Sequence, residues 1–241
     1  MFPRRPRVRR ISTAVTPPLL PWVFGMKCRI CEIRKPRRYC PATAGDICSL
    51  CCGNEREVTL RCPLDCPYLQ EAHSREKPET IPAAQLPSPD IRITEQFLEQ
   101  HMPLVDAIAA IIRDAALAES GAVDSVESGA VDTDVQEALD AITRTWRTLE
   151  SGLYYETRPD NPIAAHIQTR VQEEIATLRS ELAAKGVPAI PDATLLGILV
   201  FFHRMSVQYD NHRRYGRLFL GAFGRAPQVS EPAPAGLILP A

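Results

Sequence analysis

The sequence predicts a mainly α-helical protein in which a small cross-braced zinc module, with a short β-hairpin and a helix, precedes a helical bundle. Three observations carry this expectation. All eight cysteines of the 241 residues fall between Cys28 and Cys66. Beyond them, apolar residues recur at helical intervals of three and four. Proline-rich stretches separate the two regions and close the chain.

The cysteine spacing points to metal. Cys28 and Cys31 form one C-x2-C pair and Cys48 and Cys51 another, separated as in the C-x2-C-x15–20-C-x2-C pattern of zinc sites. Each knuckle turns two thiolates to one side, and two knuckles complete a closed tetrahedral shell. Cys40, Cys52, Cys62 and Cys66 would form a second set, interleaved with the first, so the expected cofactor is two zinc ions. The adjacent Cys51 and Cys52 cannot easily share one ion, which places them in different sites. Disulfides are the first alternative, but they would be expected to staple the whole chain. An iron–sulfur or redox centre is the second.

Local residues add detail. Cys40, Cys62 and Cys66 each precede a proline, which holds them extended. Pro67 suits a first helical position, so a short helix is expected there, with Cys66 at its positive end. Gly45 and Asp46, and Gly53 and Asn54, read as turns. Arg56 to Arg61 alternates as a short strand, and His73 reads as an exposed helix residue.

The order C-x2-C-x8-C-x7-C-x2-C with two further ligands resembles the B-box type of cross-braced zinc finger. The resemblance implies that Cys62 and Cys66 take places commonly held by histidines. Thr43 stands where that family has another ligand, a place Cys52 would fill. The run CPATAGDICSLCCGNEREVTLRCPLDCPYL resembles an uncharacterised bacterial family with a Cys-rich zinc-binding head and a helical body, which implies no activity.

Charge is unevenly spread around a formal net of −1. Residues 1 to 40 hold eleven Lys or Arg against Glu32 alone, whereas residues 78 to 241 hold thirteen against twenty-two acids. Residues 1–25 read as a disordered basic arm, with Met26 a second candidate start. The Cys-rich module spans 26–77, and 78–90 reads as a stiff proline-rich linker.

The bundle is expected over 91–223. Phe97, His101, Val105, Ile108 and Ile112 mark a first helix that Pro103 kinks or restarts. A low-complexity linker at 119–133 contains the near-repeat SGAVDSVE and SGAVDTDV. Asp134 and Glu137 would then cap a helix with Val135, Leu139, Ile142, Trp146, Leu149 and Leu153 on its buried face.

In the tract SGLYYETRPDN the aromatics are expected to pack at a helix end; its functional reading is a patch beside His212, Arg213, Arg214 and Arg217. Asn161 and Pro162 start a helix that Gly186 stops. Asp192 caps the next, nearly apolar all round at first, which belongs in the centre. Arg213 to Phe223 resumes helical period, and 224–241 reads as a disordered tail.

No glycine-rich phosphate loop, nucleophile elbow, HExxH helix or dinucleotide fingerprint occurs. The expected role is therefore non-enzymatic and cytoplasmic, mediating macromolecular interaction, with protein as the partner. Nucleic acid is the alternative partner, bound through Arg29, Arg34, Lys35, Arg37 and Arg38. No apolar run approaches the roughly 20 residues that cross a bilayer.

Overall fold

A computed structural model describes residues 27–118, 129–153 and 155–223. The arm at 1–25, the alternative start at Met26, most of the octet repeat and the tail at 224–241 lie outside these residues. The described chain is mainly helical, and its one sheet is a hairpin beside the cysteines, as the sequence leads one to expect.

In the head, β1 (Arg38–Cys40) pairs antiparallel with β2 (Gly45–Ile47) in the register Arg38 to Ile47 and Cys40 to Gly45. The turn lies at Pro41–Ala44, with Ala44 left-handed, so Gly45 and Asp46 belong to the strand and not the turn. A Cβ at Gly45 would lie 2.5 Å from Arg29 Cδ, so a side chain there would have to displace the exposed Arg29. Helix α1 (Ser49–Glu55) follows, and α2 (Pro67–His73) begins at the expected proline with Cys66 as its N-cap.

The strand expected at Arg56 to Arg61 does not form. Those residues make a tight turn closed by one Arg56–Leu60 bridge, because Glu57 takes φ 57° and three amides, of Val58, Thr59 and Leu60, converge on the Glu55 carbonyl.

The body holds α3 (Glu95–Gln100) and α4 (Met102–Ala118). Thr94 caps α3 by accepting from the Phe97 amide, and the chain restarts around Pro103. Helix α5 (Asp132–Glu150) begins two residues before the predicted cap. Asp134 lies inside its first turn, accepting from the Val131 amide at 2.8 Å and from Asn161 Nδ2 at 2.7 Å. The expected linker thus gives way to buried structure by Ala130 and Val131.

Leu153 lies past the end of α5 and is exposed, as is Tyr155, so neither packs inside; Tyr154 lies outside the described residues. Helix α6 (Pro162–Ala184) starts at Asn161, whose side chain accepts from the Ile163 amide. It ends in a Schellman motif: Gly186, at φ 74°, donates to Ala183 O, and Val187 donates to Leu182 O. Helix α7 (Asp192–Gln208) has Pro191 as its N-cap; Asp192 is its first residue and pairs with Arg179.

Helix α7 is the centre of the bundle. Leu195, Leu196, Ile198, Leu199, Val200 and Phe202 are all buried, against α5 on one side and α4 on another. At Gly197 a Cβ would lie 2.8 Å from the Phe97 ring, so the glycine seats α3 on α7. The resumption expected at Arg213 is shorter than predicted. Only α8 (Leu218–Ala222) is helical, while 211–217 is held by polar contacts to the head.

Asp132 joins two helix starts. Its carboxylate accepts from the Phe219 and Leu220 amides at 2.8 and 3.0 Å, and its own amide donates to Gly216 O. Burial pushes this carboxyl up to about 7, even though the two amides oppose the shift. The predicted linker at 78–90 is also fastened. Arg204 of α7 donates to the carbonyls of Pro87, Ser88 and Ile91, and the Glu79 amide donates to Gln208 O.

His203 gives the body a pH dependence. It is buried, and its Nδ1 has no hydrogen-bond partner. Burial lowers its pKa to about 4. The unfolded chain takes the proton below about 6.5 while the folded one refuses it, so stability falls as pH drops from there toward 4. Asp132 contributes the opposite slope over much of that range. Urea melts of the parent and His203→Leu, compared across pH, cancel the Asp132 part. The parent is expected to lose up to about 3 kcal/mol relative to the variant between pH 6.5 and 4. Parallel curves would show that His203 does not titrate in this way.

Candidate metal centre

The first cysteine set comes together as its spacing predicts. The sulfurs of Cys28, Cys31, Cys48 and Cys51 all lie within 4.8 Å of one another. A tetrahedral ion with bonds of about 2.3 Å needs sulfurs about 3.8 Å apart, so the cluster fits one ion. Cys28, Cys48 and Cys51 are buried and Cys31 is half-buried.

Local structure sets this geometry. Cys48 is the N-cap of α1, its sulfur accepting from the Cys51 amide at 3.4 Å, while the Cys48 amide donates to Cys28 Sγ at 3.2 Å. The first knuckle is closed by Cys28 N–H to Arg34 O and Glu32 N–H to Cys28 O. The hairpin carries the second knuckle to the first: Arg29 N–H bonds Asp46 O, and Arg37 N–H bonds Ile47 O.

The thiols are unequal. Burial raises the Cys28 pKa, but the amides of Cys31, Cys48 and Ile30 outweigh it and hold the group at about 6. Burial and the neighbouring sulfurs push Cys51 up to about 12. The Arg34 and Ile33 amides lower Cys31 as well, so Cys28 and Cys31 of the first knuckle favour the thiolate form that a metal needs, whereas Cys51 must give up a tightly held proton as an ion arrives.

Cys40, Cys52, Cys62 and Cys66 are all buried in the same module, but this second set does not reach the mutual closeness of the first. Burial pushes the Cys62 thiol up to about 11; the Glu57 amide opposes this, and nearby Cys40 and Cys66 add to it.

Two of the five basic residues proposed to meet phosphates interact with cysteine sulfurs. Arg38 Nη1 lies 3.5 Å from Cys52 Sγ, with its guanidinium 4.4 Å over the Tyr68 ring. The Cys48 sulfur raises the Arg34 pKa, against burial, with Cys31 adding to the effect. Arg29, Arg34, Lys35 and Arg37 are exposed.

A second polar centre was missed by the sequence reading. Glu57 is fully buried. Its carboxylate takes the His73 Nε2 contact at 3.0 Å, Asn211 Nδ2 at 3.0 Å, Arg213 Nη1 at 3.2 Å and the Arg217 amide at 2.7 Å. Its backbone carbonyl accepts from the Tyr215 amide. Burial raises its pKa, but His73, then Arg217 and Arg213, overcome this and leave it below the usual range.

His73 is therefore a buried partner, contrary to the exposed position expected for it. It shares one face of α2 with Leu69, four residues earlier, and that spacing was the available signal. Nothing in the spacing around Glu57 marks it. Ligand atoms of Glu57, His73 and Glu76 also fall within 4.8 Å of one another. Arg213, however, pairs with Glu57 and, at 3.0 Å, with Glu76, so a guanidinium takes the place a cation would. The centre is a latch that holds the head to residues 211–217.

Comparison with known protein families, curated proteins and solved structures finds no match for this chain. Among the described residues, no helix is long and apolar enough to cross a membrane.

Proposed function

We propose that this is a non-enzymatic zinc protein whose metal-stabilised head and helical body together present a surface to a protein partner. The observation that carries the reading is the buried four-sulfur cluster of Cys28, Cys31, Cys48 and Cys51. Four thiolates on one zinc leave no position for substrate, so such an ion shapes the protein and does no chemistry. A second zinc is held by Cys40, Cys52, Cys62 and Cys66, whose sulfurs draw closer once an ion replaces their protons. Reduced, metal-bound thiols suit a cytoplasmic setting.

Exposed apolar residues support the partner role. Ile33, Tyr39 and Leu50 stand out from the head at 81%, 60% and 49% exposure. Nucleic acid is the lesser reading, because residues 78 to 241 carry twenty-two acids against thirteen Lys or Arg, which weakens any general attraction to a polyanion.

Elemental analysis of the purified full chain is expected to find two zinc ions per chain. Cys28→Ser should release one and Cys62→Ser the other. One ion, lost only with Cys28→Ser, would remove the second site from the reading. Iron, or a metal-free protein with oxidised cysteines, would overturn the reading whole.

A further inference from the structure

The head contains a second site, away from the four-sulfur cluster. A solvent-open pocket of about 320 Å³ lies between β1, the end of α1 and one face of α2, lined by Arg38, Arg56, Tyr68, Glu71, Arg75 and Glu76. Three arginines from three separate parts of the chain converge on it. Two acids share its wall, yet both are engaged: Glu71 pairs with Arg75, and Glu76 pairs with Arg213 at 3.0 Å.

That leaves Arg56. Its Nε is buried with no hydrogen-bond partner, and its guanidinium forms no ion pair among the described residues. A buried donor without an acceptor is costly, and a water or an anion would satisfy it; the Nε atoms of Arg147, Arg179 and Arg217 are in the same state, but of these four arginines only Arg56 lines this pocket. Arg38 adds charge from the opposite wall, held in place by the Tyr68 ring. The Glu71–Arg75 pair is exposed on both sides and so is worth little, which lets Arg75 turn toward a stronger acceptor.

We propose that this pocket binds a phosphoryl dianion, free or as a monoester. A carboxylate presents two oxygens in one plane and is met by one guanidinium. A phosphoryl group presents three, in directions that suit three guanidinium groups converging from different elements. Tyr68 offers a ring beside the site for the organic part of a monoester.

The test is titration calorimetry of the full-length, metal-loaded chain at low salt, with inorganic phosphate, phenyl phosphate and acetate. Both phosphates are expected to bind, and acetate far more weakly. Tighter phenyl phosphate would identify a monoester as the ligand, and equal affinities the free ion. Arg56→Gln should weaken phosphate about tenfold or more, as loss of a charge-assisted bond does.

Because Arg56→Gln risks the turn it sits on, two exposed changes supply a second readout. Arg75→Gln should weaken binding, and Glu71→Gln, which frees Arg75, should tighten it. Metal content is measured for each variant, which separates a failure of this pocket from a failure of the zinc reading. Absence of phosphate binding in the parent, or affinities unchanged in Arg75→Gln and Glu71→Gln, would overturn the proposal.

Discussion

Phe202→Asp is expected to cost more than about 5 kcal/mol and to abolish cooperative unfolding of the body. The parent side chain is 3% exposed on the central helix, with its ring centroid 5.2 Å from Phe201 and 5.9 Å from Phe223. With aromatic rings on two sides of this buried position, an ionised carboxylate there would be stranded away from water. Size and charge are separable. Phe202→Ala leaves a cavity worth roughly 3–5 kcal/mol, and the further loss in the aspartate variant reports the charge. Urea melts followed by far-UV circular dichroism make the comparison. If the aspartate variant melted like the alanine one, α7 would be wet at this level and could not be the bundle's centre.

Glu57→Ala is the second large effect, with an expected loss of about 3–5 kcal/mol. The change leaves Arg213 and Asn211 with Glu76 alone, and takes from His73 and the Arg217 amide their shared acceptor. It also leaves a side chain at φ 57°, a backbone region L-residues occupy at a cost. Glu57→Gly lacks that cost and should be less damaging by about 1 kcal/mol. The loss should also shrink as the parent is acidified: the depressed carboxylate contributes stability above the ordinary glutamate range and loses it as pH falls through its folded value. Hydrogen exchange at 215–220 should rise in the alanine variant while α5 and α7 stay protected. Unchanged exchange there would mean the latch does not hold 211–217.

The cysteines and the helices were legible for one reason: both are periodic. A C-x2-C turn brings two sulfurs to one side wherever it occurs, and the intervals of Ile163, Ile167, Val171 and Ile175 fix a buried face without knowledge of what covers it. Positions that depend on a distant partner were not legible. Glu57 is buried because residues 154 to 160 positions later supply its donors, and no local pattern encodes that distance. Asp132 looked like part of a soft repeat because its partners, the Phe219 and Leu220 amides, belong to another helix. Alternation at Arg56 to Arg61 suggested a strand, but two-residue periodicity over so few residues does not outweigh a turn built around one buried carboxylate. Helical period after Arg213 failed likewise, because the backbone there is committed to Glu57.

The latch also sets an order of events during synthesis. The metal-binding segment leaves the ribosome before the helical body, while Asn211, Arg213 and Arg217, which complete the Glu57 site, are among the last described residues to be made. α8 docks its first amides on Asp132, 87 and 88 residues earlier, and the Glu57 contacts reach back 154 to 160 residues. Contacts of such separation form late and slowly. Until they do, the newborn head holds the buried Glu57 carboxylate with His73 as its side-chain partner and without the donors of 211–217.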